Sequence, residues 1–202
     1  MISLRKKFAL LGICSFLFVL PQIASTADRQ VKVDDNSFKC ILNMQKVRHF
    51  YVDNLLGDIQ GTVKVAQANK GEYPVGSVLQ LIPNEVMVKQ PKGFSPVTKE
   101  WEFFFIDVDK NGQKIYKRGF AEVNNRLGLN CFTCHIKSRE EHDFTCGENS
   151  ANGCDPLPLS QAMFGAMQRT DPRCPGSDKV SAADAEALEQ LGAIIKALTE
   201  KK

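Results

Sequence analysis

Trp101-Glu102-Phe103-Phe104-Phe105-Ile106-Asp107-Val108 is the most apolar extended stretch of the chain, and Asp109-Lys110-Asn111-Gly112 follows it directly. Aromatic and β-branched residues suit a pleated, half-buried surface, and Asn-Gly supplies the tight reversal that antiparallel neighbours need. Gln113 to Phe120 then reads as the returning arm of a hairpin. Outward from this pair, strand character recurs in Val47-Arg48-His49-Phe50-Tyr51-Val52 and in Gly61-Thr62-Val63-Lys64-Val65-Ala66. It recurs again in Val78 to Ile82 and Val86 to Lys89, on either side of a Pro83-Asn84 break. Two prolines and a glycine mark Lys89 to Thr98 as a loop. The expected fold class is therefore mainly β, a single antiparallel sheet. Near the C-terminus, Ser181 with Asp184 three residues on has the form of a helix start, and Leu188, Leu191, Ile195 and Leu198 recur at helical spacing. That pattern predicts a terminal helix laying an apolar stripe on the body.

The first residues look like an export signal. Arg5, Lys6 and Lys7 precede the apolar run Phe8 to Leu20, which is too short to span a bilayer comfortably, and Ser25 and Ala27 suit a signal-peptidase site. Cleavage after Ala27 is expected, and no stable membrane insertion after it. The segment removed holds three bases and no acid, so the exported chain, 28–202, carries bases and acids in equal number. No basic patch with interleaved aromatics is present, which argues against nucleic acid as a partner. The polar start, to about Ser37, reads as a loose arm; residues 28–145 form the main domain and 146–202 an extension.

Cys131-Phe132-Thr133-Cys134-His135 is the C-x-x-C-H pattern of c-type haem attachment. On a helical turn, residues three apart face the same way, so two sulfurs can reach the vinyl groups on one haem edge while His135 meets the iron. The cofactor expected is one covalent haem c, with Cys131 and Cys134 as attachment residues and His135 as metal ligand. Two other chemistries use paired cysteines. A thioredoxin-like redox pair opens a helix in a βαβ unit, and a zinc site would draw further ligands from Cys146, Cys154 or His142. The adjacent histidine and the export signal favour haem. Of the other exported cysteines, the short Gly/Asn/Ser-rich spacing favours a Cys146–Cys154 disulfide, leaving Cys40 to Cys174 in an oxidising, periplasmic or otherwise exported setting.

A buried macrocycle needs aromatic cover, for which Phe103 and Phe105 are candidates. Met44, Met87, Met163, Met167, His49 and His142 are candidates for the sixth iron position. An occupied position favours electron transfer, and an open one favours a small ligand.

Taken together, V-R-H-F-Y-V-D (47–53), G-S-V (76–78), E-V-M-V-K (85–89), W-E-F-F-F (101–105), C-F-T-C-H (131–135) and D-F (143–144) resemble the cytochrome P460 family, related to the β-sheet cytochromes c′. The resemblance covers about Val47 to Phe144. It implies an antiparallel β fold around a five-coordinate haem c, with Arg48 and Glu85 as distal-pocket residues. It also implies hydroxylamine oxidation or nitric oxide binding at the open face. P460 enzymes carry a lysine cross-linked to the haem; counting five residues on from Gly76 puts Leu81 at that position, and Lys64 and Lys89 lie elsewhere. The expected function is thus an exported P460-like cytochrome whose open iron binds or transforms nitric oxide or a related small nitrogen species. The alternatives are an electron-transfer cytochrome c with a Met or His sixth ligand and a periplasmic redox partner, or a haem-bearing structural or sensory module.

Overall fold

The computed structural model describes residues 30–147 and 150–200; the expected signal segment lies outside them. Six strands run in chain order, each hydrogen-bonded antiparallel to the next: β1 Gln45–Val47, β2 Phe50–Asn54, β3 Ser77–Ile82, β4 Glu85–Lys89, β5 Trp101–Asp109 and β6 Gly112–Gly119. Helix α1, Ile59–Ala68, lies between β2 and β3. Beyond the sheet come α2, Cys131–His135, α3, Gln161–Arg169, and α4, Ala182–Thr199. The chain is therefore mainly β with a C-terminal helix. No helix among the described residues is long and apolar enough to cross a membrane.

Alternation along the strands builds two cores. On one face Tyr51, Val78, Val86, Val88, Phe104 and Ile106 pack with Val31, Val33, Phe38 and Ile41 of the N-terminal segment. That segment is not the loose arm expected: the Val31 amide donates to Gln90 Oε1 at 2.8 Å, and Arg118 donates to the Val33 carbonyl at 3.1 Å. The other face gathers Val52, Leu79, Met87, Trp101 and Phe103. Along β6 the cations Lys114, Lys117 and Arg118 occupy the sheet edge, where charge discourages pairing with another chain.

Two expected strands are corrected. Val47 to Val52 is not continuous, because Arg48 adopts a left-handed φ of 53° and the chain reverses so that Val47 pairs with Phe50. Gly61 to Ala66 is helical. Asp58 caps α1 by accepting the Gly61 amide at 2.9 Å, and Thr62 and Ala66, one turn apart, are fully buried. The cap and this buried face outweigh the β preference of Val63 and Val65.

Helix α4 starts at Ser181, whose hydroxyl accepts the Asp184 amide at 3.1 Å, as its sequence predicts. Leu191 is buried and Leu188 and Ile195 partly so, against α3 and Ile82. Helix α3 has no counterpart in the sequence-based expectation. Ser160 caps it, and Met163, Phe164, Ala166 and Met167 form its buried side. Both expected disulfides are present, Cys40–Cys174 and Cys146–Cys154. Beside the first, buried Asp171 accepts the Ile41 amide at 2.9 Å and pairs with Arg173 at 2.8 Å, fastening the extension to the start of the sheet domain.

Candidate functional site

The C-x-x-C-H segment forms the single-turn α2. Asn130 fixes its start: Oδ1 accepts the Thr133 amide at 3.1 Å, and Nδ2 donates to the Ala121 carbonyl at 3.0 Å. Cys131 and Cys134 are free thiols, and both line a half-open cleft together with His135. Burial, reinforced by the Glu85 carboxylate, pushes the Cys131 thiol up to about 12, and burial likewise raises Cys134. A thioredoxin-like pair opens a helix within a βαβ unit, whereas α2 follows an all-antiparallel sheet, so that reading loses its structural context. The zinc alternative lacks free ligands, because Cys146 and Cys154 are joined in a disulfide and both ring nitrogens of His142 are engaged, by the Asn69 carbonyl and by Arg139.

His135 is held by the backbone. Its Nδ1 lies 2.7 Å from the Phe144 carbonyl, which can only accept, so Nδ1 carries the proton and Nε2 keeps its lone pair. Burial lowers the imidazole pKa and favours the neutral ring. The Phe103 edge at 5.1 Å and the stacked Phe144 ring at 6.3 Å fix its plane. With one nitrogen tied to a backbone oxygen and the other available, the ring is oriented so that Nε2 could ligate a metal.

The carbonyl that does this is itself braced. Asp143 and Phe144 are consecutive left-handed residues, with φ of 47° and 67°. Trp101 Nε1 donates to the Asp143 carbonyl at 2.7 Å, and the Tyr73 amide donates to Asp143 Oδ2 at 2.8 Å. Lys89, only 2% exposed, pairs with the same carboxylate at 2.8 Å and donates to the Lys99 carbonyl at 2.7 Å. None of these bracing roles was foreseen. The only hint is that Asp143-Phe144, Lys89 and Trp101 all fall in the segments that carry the family resemblance.

Leu79, Met87 and Phe103 form a cross-strand row on the sheet wall of the cleft. Leu81 is the extra residue of a β-bulge between Gln80 and Ile82, where pairing skips from Val86 to Glu85. It lines the cleft and packs with the cluster formed by α3 and α4. Leu157, Leu159 and Phe164 complete that wall, so the extension closes one side of the site. The empty space, mouth included, is about 1400 Å³.

Glu85 lines the cleft. Its Oε1 accepts the Arg126 amide at 2.8 Å, and burial raises its carboxyl pKa against the opposing pull of Arg126. Arg48 stands outside the lining. It donates to the Gln67 carbonyl and Asn69 Oδ1, each at 3.2 Å, at the C-terminal end of α1. Phe103 lines the cleft, whereas Phe105 packs edge-on to Tyr116 at 6.5 Å. Of the sixth-ligand candidates, Met87 and His49 line the cleft. Met44 is in the core of the opposite face, and Met163 and Met167 pack between α3 and α4. His142 donates from Nδ1 to the Asn69 carbonyl and meets Arg139 at Nε2.

Comparison with protein-family models, with curated proteins and with solved structures finds no match for this chain.

Proposed function

We propose that the chain is an exported monohaem c-type cytochrome of the P460 kind, with an iron face open to nitric oxide or a related small nitrogen species. The observation that carries this is the joining, in one cleft, of two free thiols on one helical turn and an imidazole whose Nε2 is left bare by the Phe144 contact. Each thiol would add across a vinyl group, sulfur to one carbon and hydrogen to the other. Haem supplies an iron able to coordinate small ligands and exchange single electrons. The donor set fits it, because the thiols, the imidazole and the apolar wall of Leu79, Met87 and Phe103 share one cleft. Export agrees with two disulfides, which persist in oxidising compartments.

The chain's own part follows from its residues. His135 is oriented before any metal arrives, which removes the cost of ordering it on binding. Leu79 on the sheet wall, with Leu81 and Phe164 on the wall closed by the extension, gives the cleft an apolar lining that limits water. Glu85, its carboxyl pKa raised by burial, can hold a proton at Oε2 while Oε1 stays bonded to the Arg126 amide, and can pass that proton to a bound ligand. Arg48 reaches the cleft only through the lining residue Asn69, whose Oδ1 accepts from its guanidinium.

The test is an intact mass of protein exported alongside haem-maturation machinery, followed by optical spectra. The expected product is residues 28–202 plus one haem, and its reduced form binds carbon monoxide and nitric oxide. Met87→Ala should leave the resting spectrum unchanged. An unmodified mass defeats the haem reading. A six-coordinate spectrum that turns high-spin on Met87→Ala or His49→Ala defeats the open face and favours electron transfer.

A further expectation concerns lysine. Leu81 cannot form a haem cross-link, Lys89 is locked to Asp143, and Lys64 is exposed on α1. Peptide mapping of the loaded protein should therefore recover haem on the Cys131–Cys134 peptide alone, with an ordinary haem c spectrum. Haem bonded to any lysine would contradict this.

A further inference from the structure

The sulfurs of Cys134, Cys146 and Cys154 all lie within 4.8 Å of one another. Cys134 is free, and the other two are bonded to each other. The Cys134 thiol also approaches the carbonyl of Asp155, the residue after Cys154, at 3.8 Å, and Lys137 of the segment after α2 pairs with the Asp155 carboxylate. The turn that bears Cys134 is therefore fastened to the disulfide loop at two points.

We propose that Cys134 and the Cys146–Cys154 disulfide form an intramolecular thiol–disulfide exchange triad in the chain before Cys134 is used for anything else. The Cys134 thiolate attacks one sulfur of the pair, a Cys134–Cys146 or Cys134–Cys154 bond forms, and the old bond breaks. The displaced sulfur leaves as a thiolate and takes up the proton that Cys134 gave away. One disulfide is exchanged for another, so no outside oxidant or reductant is needed.

Loop closure opposes the exchange only weakly. The native pair is separated by 8 residues; counting from 134 to 146 gives 12, and from 134 to 154 gives 20. On chain entropy alone the new loops are disfavoured by roughly two- to fourfold. The chain then has three interconverting forms, one with Cys131 and Cys134 both free for attachment and two with Cys134 masked, by Cys146 or by Cys154. The masking reverses itself, because the displaced thiol stays beside the new bond.

This inference does not depend on haem, and its test uses the full exported chain prepared without maturation machinery. The protein is held without air or added thiol at mildly alkaline pH until the peptide pattern stops changing, so that the populations and not the exchange rate are read. It is then quenched in acid, alkylated and mapped without reduction. Peptides joining Cys134 to Cys146 or Cys154 should reach at least about a tenth of the native pair, with the displaced cysteine alkylated. Cys134→Ser should abolish them, and Cys40–Cys174 should stay intact. Full alkylation of Cys134 with only Cys146–Cys154 recovered would overturn the proposal, as would a new bond from Cys134 to Cys131 alone.

Discussion

Replacing Cys40 and Cys174 together by alanine is expected to lower the unfolding free energy by about 4 to 5 kcal/mol, the larger of the two disulfide effects in this chain. The bond joins residues 134 apart, so it removes a large share of the denatured chain's freedom, whereas Cys146–Cys154 spans only 8. On the same entropic account the short loop is worth about half as much. Alanine is the right replacement because both half-cystines are buried, and a serine hydroxyl there would add its own desolvation cost. The contacts beside the bond, Asp171 with the Ile41 amide and with Arg173, remain and keep the extension docked. Denaturant unfolding of the two double variants decides the matter, and equal losses for long and short loops would refute the argument.

Lys89→Met is expected to destabilise the protein by about 3 to 5 kcal/mol, because it strands the buried Asp143 carboxylate without its ammonium. Lys89→Met with Asp143→Asn should recover much of the loss, since the neutral pair carries no uncompensated charge and the Asn oxygen can still accept the Tyr73 amide. The pH dependence has a definite sign. Burial already holds the Asp143 carboxyl above its ordinary range, with Lys89 pulling the other way, and removing the ammonium raises it further. A carboxyl whose folded pKa exceeds its unfolded one favours folding most at low pH, and that benefit is lost as pH rises toward the folded value. The deficit of Lys89→Met should thus be largest near neutrality and shrink on acidification through the carboxylate range. Urea titrations at several pH values measure it; a loss unchanged by acid would show that Asp143 is not the cause.

The sequence carried the sheet better than it carried the site. The β5–β6 hairpin, β3 and β4 announced themselves through alternation and turn residues, and α4 through its Ser181 cap and apolar stripe. The disulfide pairing followed from loop length. Helix α1 was hidden because Val63 and Val65 carry β preference, while the deciding features, an Asp58 cap and a Thr62–Ala66 face, become decisive only against the sheet. In the site, Cys131, Cys134 and His135 stood out because the C-x-x-C-H pattern sets fixed side chains at fixed spacing, and the cleft gathers all three. Phe144 did not, because it acts on His135 through a carbonyl that every residue possesses. Lys89 was equally opaque: a lysine on a strand is normally solvated, and only the fold brings Asp143 to it.

Two opposing demands meet at Phe144. Its φ of 67° is one that glycine adopts freely and an aromatic residue resists, yet its ring covers the imidazole whose proton its carbonyl receives. Glycine there would relax the backbone and bare the histidine; alanine would keep the strain without the shelter. The position is thus a compromise in which conformational ease is given up for cover. The Trp101 and Tyr73 bonds to Asp143, one residue earlier, hold the chain to it.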